Sequence, residues 1–142
     1  MNPDAKTSSW RTPAILTARL IFAAVFVMAA AFKFLGMLAT ADYIAAAGFP
    51  ASYALAWLAA LFESALVLAF LTGAYFSEAA LLAGLYVLFL GFAFHGPSHW
   101  ASNQAEFGFF VDHFTFIAGL LFAAVNGSGR VLAAKVGVLG RR

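Results

Sequence analysis

The chain has 142 residues, of which 64% are hydrophobic and only 10% are charged, and it carries a formal net charge of +2 and no cysteine. Soluble domains contain about 25% charged residues, so this composition excludes an ordinary water-facing surface and predicts a single integral membrane domain over residues 1–142. The missing cysteines exclude disulfides, thiolate metal sites and cysteine nucleophiles, and the small net charge gives no reason to expect a nucleic-acid partner.

Four long apolar segments follow one another along the chain. They cover about residues 14–37, 52–71, 75–95 and 107–125, and each is close to the ~20 residues needed to cross ~30 Å of hydrocarbon. Only helices and closed barrels satisfy the backbone in lipid, and these segments lack the alternation of barrel strands. The sequence therefore predicts an all-α fold, an antiparallel bundle of four transmembrane helices.

Helix-breaking residues separate these segments. "GFP" at 48–50 precedes the second segment, "LTG" at 71–73 joins the second and third in a hairpin, "HGPS" at 95–98 ends the third, and "NGSG" at 126–129 ends the fourth. Gly and Pro at such positions are typical helix boundaries. The first segment is too long and too internal for a cleaved signal peptide, so we expect it to remain as a span.

The basic residues next to the segments predict the orientation. Lys and Arg occur before and at the start of the first segment and in the C-terminal tail, whereas the loops around Asp42 and His99 hold none. The positive-inside rule then places both termini in the cytoplasm, with multi-pass insertion in a bacterial inner membrane and both loops on the periplasmic side. Arg19 is expected to anchor this topology by extending to the cytoplasmic interface.

Among the ionisable side chains in the apolar segments, Arg19 and Glu78 lie in the predicted cytoplasmic half, and five others lie in the outer half, namely Lys33, Glu63, His95, Asp112 and His113. These five fall between the midplane and the predicted periplasmic surface. Charges at the bilayer centre cost about 2.5–3.5 kcal/mol and usually face the bundle interior, so we predict a polar pocket that opens to the periplasm. Glu63 and Asp112 are the candidate catalytic, proton-relaying groups. Lys33, His95 and His113 are the candidate cofactor-binding groups.

These side chains also have structural interpretations. Glu63 could be a protonated group that only joins helices by hydrogen bonds. Lys33 could reach the interface, or it could form an ion pair with Glu63 or Asp112. Asp112 could instead bind a loop amide. His95 and His113 could be an ordinary helix end and a structural hydrogen-bonding residue.

Two histidines near the end of the third segment need separate interpretations. His95 and His99 are four residues apart, but the Gly96-Pro97 break removes the helical geometry that would place them on one face. His95 shares a face with Gly84 and Gly91, small residues that favour close packing of membrane helices, and is predicted to face inward. His99 is predicted to lie at the outer interface.

A resemblance to the DoxX family of small four-helix membrane proteins is carried by "ARLIFAAVFVMAAAFKFLG", "AAGFPASYALAWLAALFESALVLAFLTG" and "YVLFLGFAFH". It covers about residues 18–125. The residues that carry it are Arg19, Lys33, Gly48, Phe49, Pro50, Glu63, Gly73 and His95. The resemblance implies a four-helix bundle in the cytoplasmic membrane. It also implies an oxidoreductase or a subunit of a quinone-linked redox complex, such as thiosulfate:quinone oxidoreductase.

Three functions fit these features. The first is a quinone-linked oxidoreductase or a subunit of a membrane redox complex, with electrons supplied by a membrane or periplasmic redox protein, since the chain has no dinucleotide-binding, CxxC or P-loop motif. The second is a non-catalytic membrane anchor or assembly partner of a redox enzyme. Haem or metal binding by His95 with His113 or His99 ranks last, and no metal site is predicted. Besides the lipid bilayer, a second copy of the chain is a further candidate partner.

Overall fold

The computed structural model describes residues 3–134 and 136–139, with side chains from residue 10 onward. These residues form five α-helices: α1 (Pro3–Leu35), α2 (Met37–Ala46), α3 (Ser52–Thr72), α4 (Phe76–His95) and α5 (Gln104–Asn126). A short 3₁₀ turn at Pro97–His99 follows α4. No strand occurs in this part of the chain, so the all-α prediction is confirmed.

Four helices of the described chain are long and apolar enough to cross a membrane, over Trp10–Leu35, Ser52–Thr72, Phe76–His99 and Gln104–Asn126. They correspond to the four predicted spans, and the chain is a multi-pass membrane protein. The α3–α4 turn and the C-terminal segment (residues 127–134 and 136–139) lie at one end of the bundle, which we name the termini side. The opposite end, with α2 and the α4–α5 connection, is the loop side.

The sequence pattern does not predict α2. Gly36 separates α2 from α1, and the ten residues of α2 are too few to cross a bilayer. Ala41 and Ile44 of α2 are buried against Ala56 of α3, so the helix covers the loop-side end of α3. Polar residues such as Asp42 give this stretch the appearance of a loop in the sequence, and its burial depends on packing against α3.

Aromatic side chains from three helices form the centre of the core. The Phe22 and Phe26 rings of α1 lie with their centroids 5.6 and 5.7 Å from the Phe70 ring of α3. Phe70 also meets Phe76 of α4 edge-on at 5.5 Å. The most extensively packed helix pairs are α1 with α3 and α4 with α5.

Arg19 lies inside the termini side of the bundle, and only 2% of its surface is exposed. Its guanidinium donates hydrogen bonds to backbone carbonyl oxygens in the last turn of α3 and in the C-terminal segment, those of Phe70, Leu71, Ser128, Val131 and Leu132. Carbonyls at a helix C-terminus have no partner within the helix, so an arginine there satisfies two of them. The expectation that Arg19 extends to the interface is wrong, because it instead ties the C-terminal segment to α3.

Glu78 holds the other end of the same segment. Its carboxylate accepts hydrogen bonds from the backbone N–H groups of Val138 and Leu139, the second at 2.8 Å. Between these two attachments, the Ala134 N–H donates to the Thr72 carbonyl at 2.8 Å. The C-terminal segment is therefore fixed across the α3–α4 turn by one buried cation and one carboxylate.

Candidate functional site

A partly buried ion pair joins α1 to α3 in the loop-side half of the bundle. Lys33 Nζ lies 2.8 Å from Glu63 Oε1, and the Tyr86 hydroxyl of α4 donates to the same oxygen at 2.8 Å. Glu63 Oε2 is buried and has no hydrogen-bond partner among the described residues. Of the two partners expected for Lys33, the structure brings Glu63 to it.

Lys33 and Tyr86 offset the free-energy cost of burying the Glu63 carboxylate. A carboxylate removed from water is costly unless a nearby cation and additional hydrogen bonds replace its hydration. Lys33 supplies the charge and Tyr86 supplies a neutral donor. Both of these residues bind Oε1. The second carboxylate oxygen, Oε2, is therefore still free to accept a hydrogen bond from a further donor.

The two histidines of the predicted site lie together. Their ring centroids are 5.1 Å apart. His95 Nδ1 is 2.6 Å from Glu106 Oε2, and His113 Nδ1 is 2.7 Å from the carbonyl oxygen of Phe109. A carbonyl oxygen can only accept, so Nδ1 of His113 carries a proton, and Nε2 is the ring nitrogen left for other partners.

Gly91 of α4 makes room for the His113 imidazole. A Cβ atom at this position would lie 3.3 Å from His113 Cβ and 3.4 Å from Cγ. Gly84, on the same face of α4, has no atom within 4 Å of such a Cβ. The face of α4 that carries both glycines therefore approaches His113 closely at Gly91, whereas the space beside Gly84 is open.

A polar cavity of about 480 Å³ connects these groups. Lys33, Tyr86, His95 and His113 line it, and Glu63 lies behind Lys33 and Tyr86. Its other lining residues are largely apolar and come from α1, the α1–α2 connection, α2, α3 and α4: Ala29, Phe32, Gly36, Ala39, Thr40, Tyr43, Ile44, Ala59, Leu90 and Phe94. The volume is within the ~300–1,000 Å³ usual for small-molecule sites.

Asp112 and His99 do not join this group. The Asp112 side chain is exposed and forms no hydrogen bond or ion pair with the described residues. His99 is also exposed, and the indole N–H of Trp100 binds the His95 carbonyl at 2.8 Å. Four of the five predicted side chains therefore converge on one cavity or its wall, whereas Asp112 lies outside it on α5.

Comparison with protein families gives one result, a match of the DoxX family model to residues 14–96, more than half of the chain. The chain belongs to the DoxX family. The matched region of this DoxX protein contains Lys33, Glu63, Tyr86 and His95, while α5, with Asp112 and His113, lies beyond it. No curated protein and no solved structure matches the chain.

The polar site of this DoxX protein contains residues that the sequence analysis missed. Tyr86 is the hydroxyl-bearing residue in the middle of the apolar α4, and a buried Glu63 at the same depth needs such a partner. Glu106 follows the α5 N-cap and appears in the sequence as an ordinary acidic first-turn residue. Burial raises the pKa of Tyr43, which lines the cavity, and the negative charge of Glu106 raises it further.

The donor set of this DoxX protein does not form a metal-binding cluster. Among the described residues, no group of three or more His, Asp or Glu side chains is placed to hold a metal ion. The cavity offers the Lys33 ammonium group, the phenols of Tyr43 and Tyr86, and two imidazole rings in a mainly apolar wall. These groups suit a flat ligand with polar oxygens on an apolar ring.

Proposed function

We propose that this DoxX protein binds the head group of a quinone or quinol in the polar cavity and acts in quinone-linked redox chemistry, as an oxidoreductase or as a subunit of a membrane redox complex. The observation that carries the proposal is the convergence of Lys33, His95 and His113 on the polar cavity, whose other lining residues are mainly apolar. The buried Glu63, held by Lys33 and Tyr86, supports it.

The cavity has the groups that would recognise a quinone head. A quinone ring is apolar on its faces and carries two carbonyl oxygens that accept hydrogen bonds. The Lys33 ammonium and a protonated imidazole Nε2 are donors for such oxygens. In the quinol form the hydroxyl groups become donors, and a neutral Nε2 of His95 or His113 accepts from them.

The histidines would also exchange protons with the ligand. Reduction of a quinone to a quinol takes up two electrons and two protons, and oxidation releases both. His95 and His113 use Nδ1 within the protein, which leaves Nε2 to accept a proton from a quinol hydroxyl or to return it. His95 Nδ1 faces Glu106 Oε2, and Glu63, which lies behind Lys33, would be a further relay group.

The electrons would pass to or from the redox group of a partner protein. The proposal includes insertion in a bacterial inner membrane, with the termini side in the cytoplasm and the cavity toward the periplasm. The distribution of Lys and Arg along the chain supports this orientation. The test is a C-terminal fusion to a reporter that fluoresces only in the cytoplasm. A fluorescent fusion would support the proposed orientation, and a non-fluorescent one would indicate the opposite orientation.

A binding experiment with three histidine variants tests the proposed function. The full chain in lipid nanodiscs is titrated with decylubiquinone and with its quinol, for the native protein and for His95→Gln, His113→Gln and His99→Gln. Loss of one hydrogen bond predicts about tenfold weaker binding for each of the first two variants. His99→Gln, on an exposed residue outside the cavity, is the control and retains native affinity. Absence of quinone and quinol binding by the native protein, or equal affinity for all three variants, would refute the proposal.

A second candidate function is that of a non-catalytic anchor or assembly partner for a redox enzyme. The exposed carboxylate of Asp112, roughly 12 Å along α5, favours it, because an unpartnered charge is costly in lipid and is usually satisfied by a neighbouring helix. If this candidate is correct, Asp112→Asn releases a stoichiometric partner during purification, while Glu63→Gln keeps both the partner and its activity. Loss of the partner's activity in Glu63→Gln would favour the first function.

A further inference from the structure

A second, apolar cavity of about 560 Å³ lies beside the polar one, between α3 and α4 on the loop side. Apart from the phenol of Tyr86, the side chains that line it are hydrocarbon. They come from α2, the α2–α3 connection, α3 and α4: Ile44, Phe49, Leu55, Leu58, Ala59, Phe62, Tyr86, Phe89, Leu90 and Phe94. We name this space the apolar lobe.

The apolar lobe and the polar cavity share a wall. Ile44, Ala59, Tyr86, Leu90 and Phe94 line both spaces. The shared wall includes Tyr86, which binds Glu63. A ligand whose polar group contacts Lys33 or the histidines therefore has an apolar space directly next to its ring.

The outer edge of the apolar lobe faces the bilayer. Leu58 of α3 is 63% exposed and Phe89 of α4 is 51% exposed, and both lie within spans. α3 and α4 pack against one another less extensively than do α1 and α3 or α4 and α5. The lobe thus lies between two spans, with its outer edge exposed to hydrocarbon and its inner side against the wall that it shares with the polar cavity.

We infer that the apolar lobe holds the alkyl or isoprenoid chain of the ligand, and that the ligand enters the site sideways from the bilayer between α3 and α4. The inference rests on the proposed function only for the identity of the head group. In lipid a chain gains little by exchanging one apolar surrounding for another. The lobe therefore acts mainly by position, since it aligns the chain so that the head group reaches Lys33, His95 and His113.

Because the effect is positional, the test locates the chain. The full protein in nanodiscs is illuminated with a decylubiquinone analogue that carries a diazirine at the end of its chain, and also with an alkyl diazirine that has no ring. Labelled peptides are identified by mass spectrometry. We expect the quinone probe to label residues of α3 and α4 that line the lobe, and excess ring-only benzoquinone to reduce this labelling.

Three tryptophan variants test whether the apolar lobe holds the chain of the ligand. Leu55→Trp fills the lobe from a residue that does not line the polar cavity, and Leu58→Trp blocks the exposed edge of the lobe from a residue outside the folded core. Leu61→Trp, on the lipid-facing surface of α3 outside both cavities, is the matched control. We expect about tenfold less labelling and weaker binding of the chain-bearing quinone in the first two variants, with ring-only binding and Leu61→Trp unchanged.

The two proposals fail in different ways. Labelling of α1 or α5, or undiminished labelling of α3 and α4 in both lobe variants, would overturn the side entry even if the quinone binds. Labelling of the lobe by the ringless probe, lost in both variants and insensitive to ring-only benzoquinone, would support the chain site and reject the quinone head group. Absence of labelling in the lobe by both probes would overturn the inference.

Discussion

Lys33 Nζ lies 2.8 Å from Glu63 Oε1, although 30 residues separate the two along the chain. The partners differ in their access to solvent, since 20% of the Lys33 side chain is exposed but only 2% of the Glu63 side chain. The lysine faces the polar cavity, and the carboxylate lies behind it. The pair therefore holds a cation at the polar cavity while its counter-charge stays inside the bundle.

This asymmetry predicts that loss of Lys33 destabilises the protein more than neutralisation of Glu63. Lys33→Met leaves a buried carboxylate with only the Tyr86 hydroxyl as a partner, and breaking a buried pair in this way costs about 3–5 kcal/mol. Glu63→Gln leaves a lysine that can extend into the cavity, so we expect a loss of about 1–2 kcal/mol. Denaturant unfolding in detergent micelles measures both. A larger loss for Glu63→Gln would contradict the prediction, and the double variant is expected to lose less than Lys33→Met alone.

The Tyr86 hydroxyl is expected to contribute measurably to the same cluster. Tyr86→Phe removes the hydrogen bond to Glu63 Oε1 and leaves the ring in place, which costs about 1–3 kcal/mol for a bond to a charged group. Tyr53→Phe is the matched control, because Tyr53 is 52% exposed. Thermal unfolding of both variants in the same detergent provides the comparison. Equal stability of the two variants would show that Tyr86 does not stabilise Glu63.

The sequence predicts the four spans and the convergence of four polar side chains for the same physical reason. Long apolar runs must cross the bilayer as helices, and charges within them must face inward. Lys33 near the end of α1 and Glu63 in the middle of α3 lie on neighbouring antiparallel helices, so an ion pair could be proposed. Which of two carboxylates pairs with Lys33 depends on helix rotation, and the sequence leaves that undecided.

Other features depend on contacts between distant parts of the chain. Arg19 binds Ser128, Val131 and Leu132, which lie 109 to 113 residues away, through their backbone carbonyls, and such contacts leave no side-chain signature in the sequence. The burial of α2 likewise depends on the surface of α3. Asp112 lies on the exposed side of α5 because that helix packs mainly through its other face against α4.

Arg19 is expected to be required for the attachment of the C-terminal segment. Arg19→Lys keeps the charge but cannot reproduce a planar group that donates to five carbonyl oxygens on two segments. We expect backbone amides of residues 128–139 to exchange hydrogen at least about tenfold faster, while the centres of α3 and α4 remain protected. Arg130→Lys, on an exposed arginine of the same segment, is the control. Unchanged exchange in Arg19→Lys would show that Glu78 and the backbone hydrogen bonds suffice.

The two glycines on the inner face of α4 are expected to respond to alanine with opposite signs. Alanine is more favourable than glycine inside a helix by about 0.5–1 kcal/mol. Gly84→Ala adds a methyl group where no atom lies within 4 Å, so we expect it to be neutral or stabilising. Gly91→Ala places the methyl 3.3 Å from His113 Cβ, a contact that requires the histidine to move.

His113 cannot move freely, because its Nδ1 is held at 2.7 Å by the Phe109 carbonyl. Gly91→Ala should therefore lose the helix-propensity gain and shift the imidazole in the cavity, so that the variant is less stable than Gly84→Ala by about 1–2 kcal/mol. It should also bind decylubiquinone more weakly than Gly84→Ala, since Nε2 of His113 no longer points to the same place. Unfolding and titration of both variants in parallel separate the two effects. Equal stability with reduced affinity would show that the imidazole turns without strain, and equal values in both measurements would show that Gly91 does not position His113.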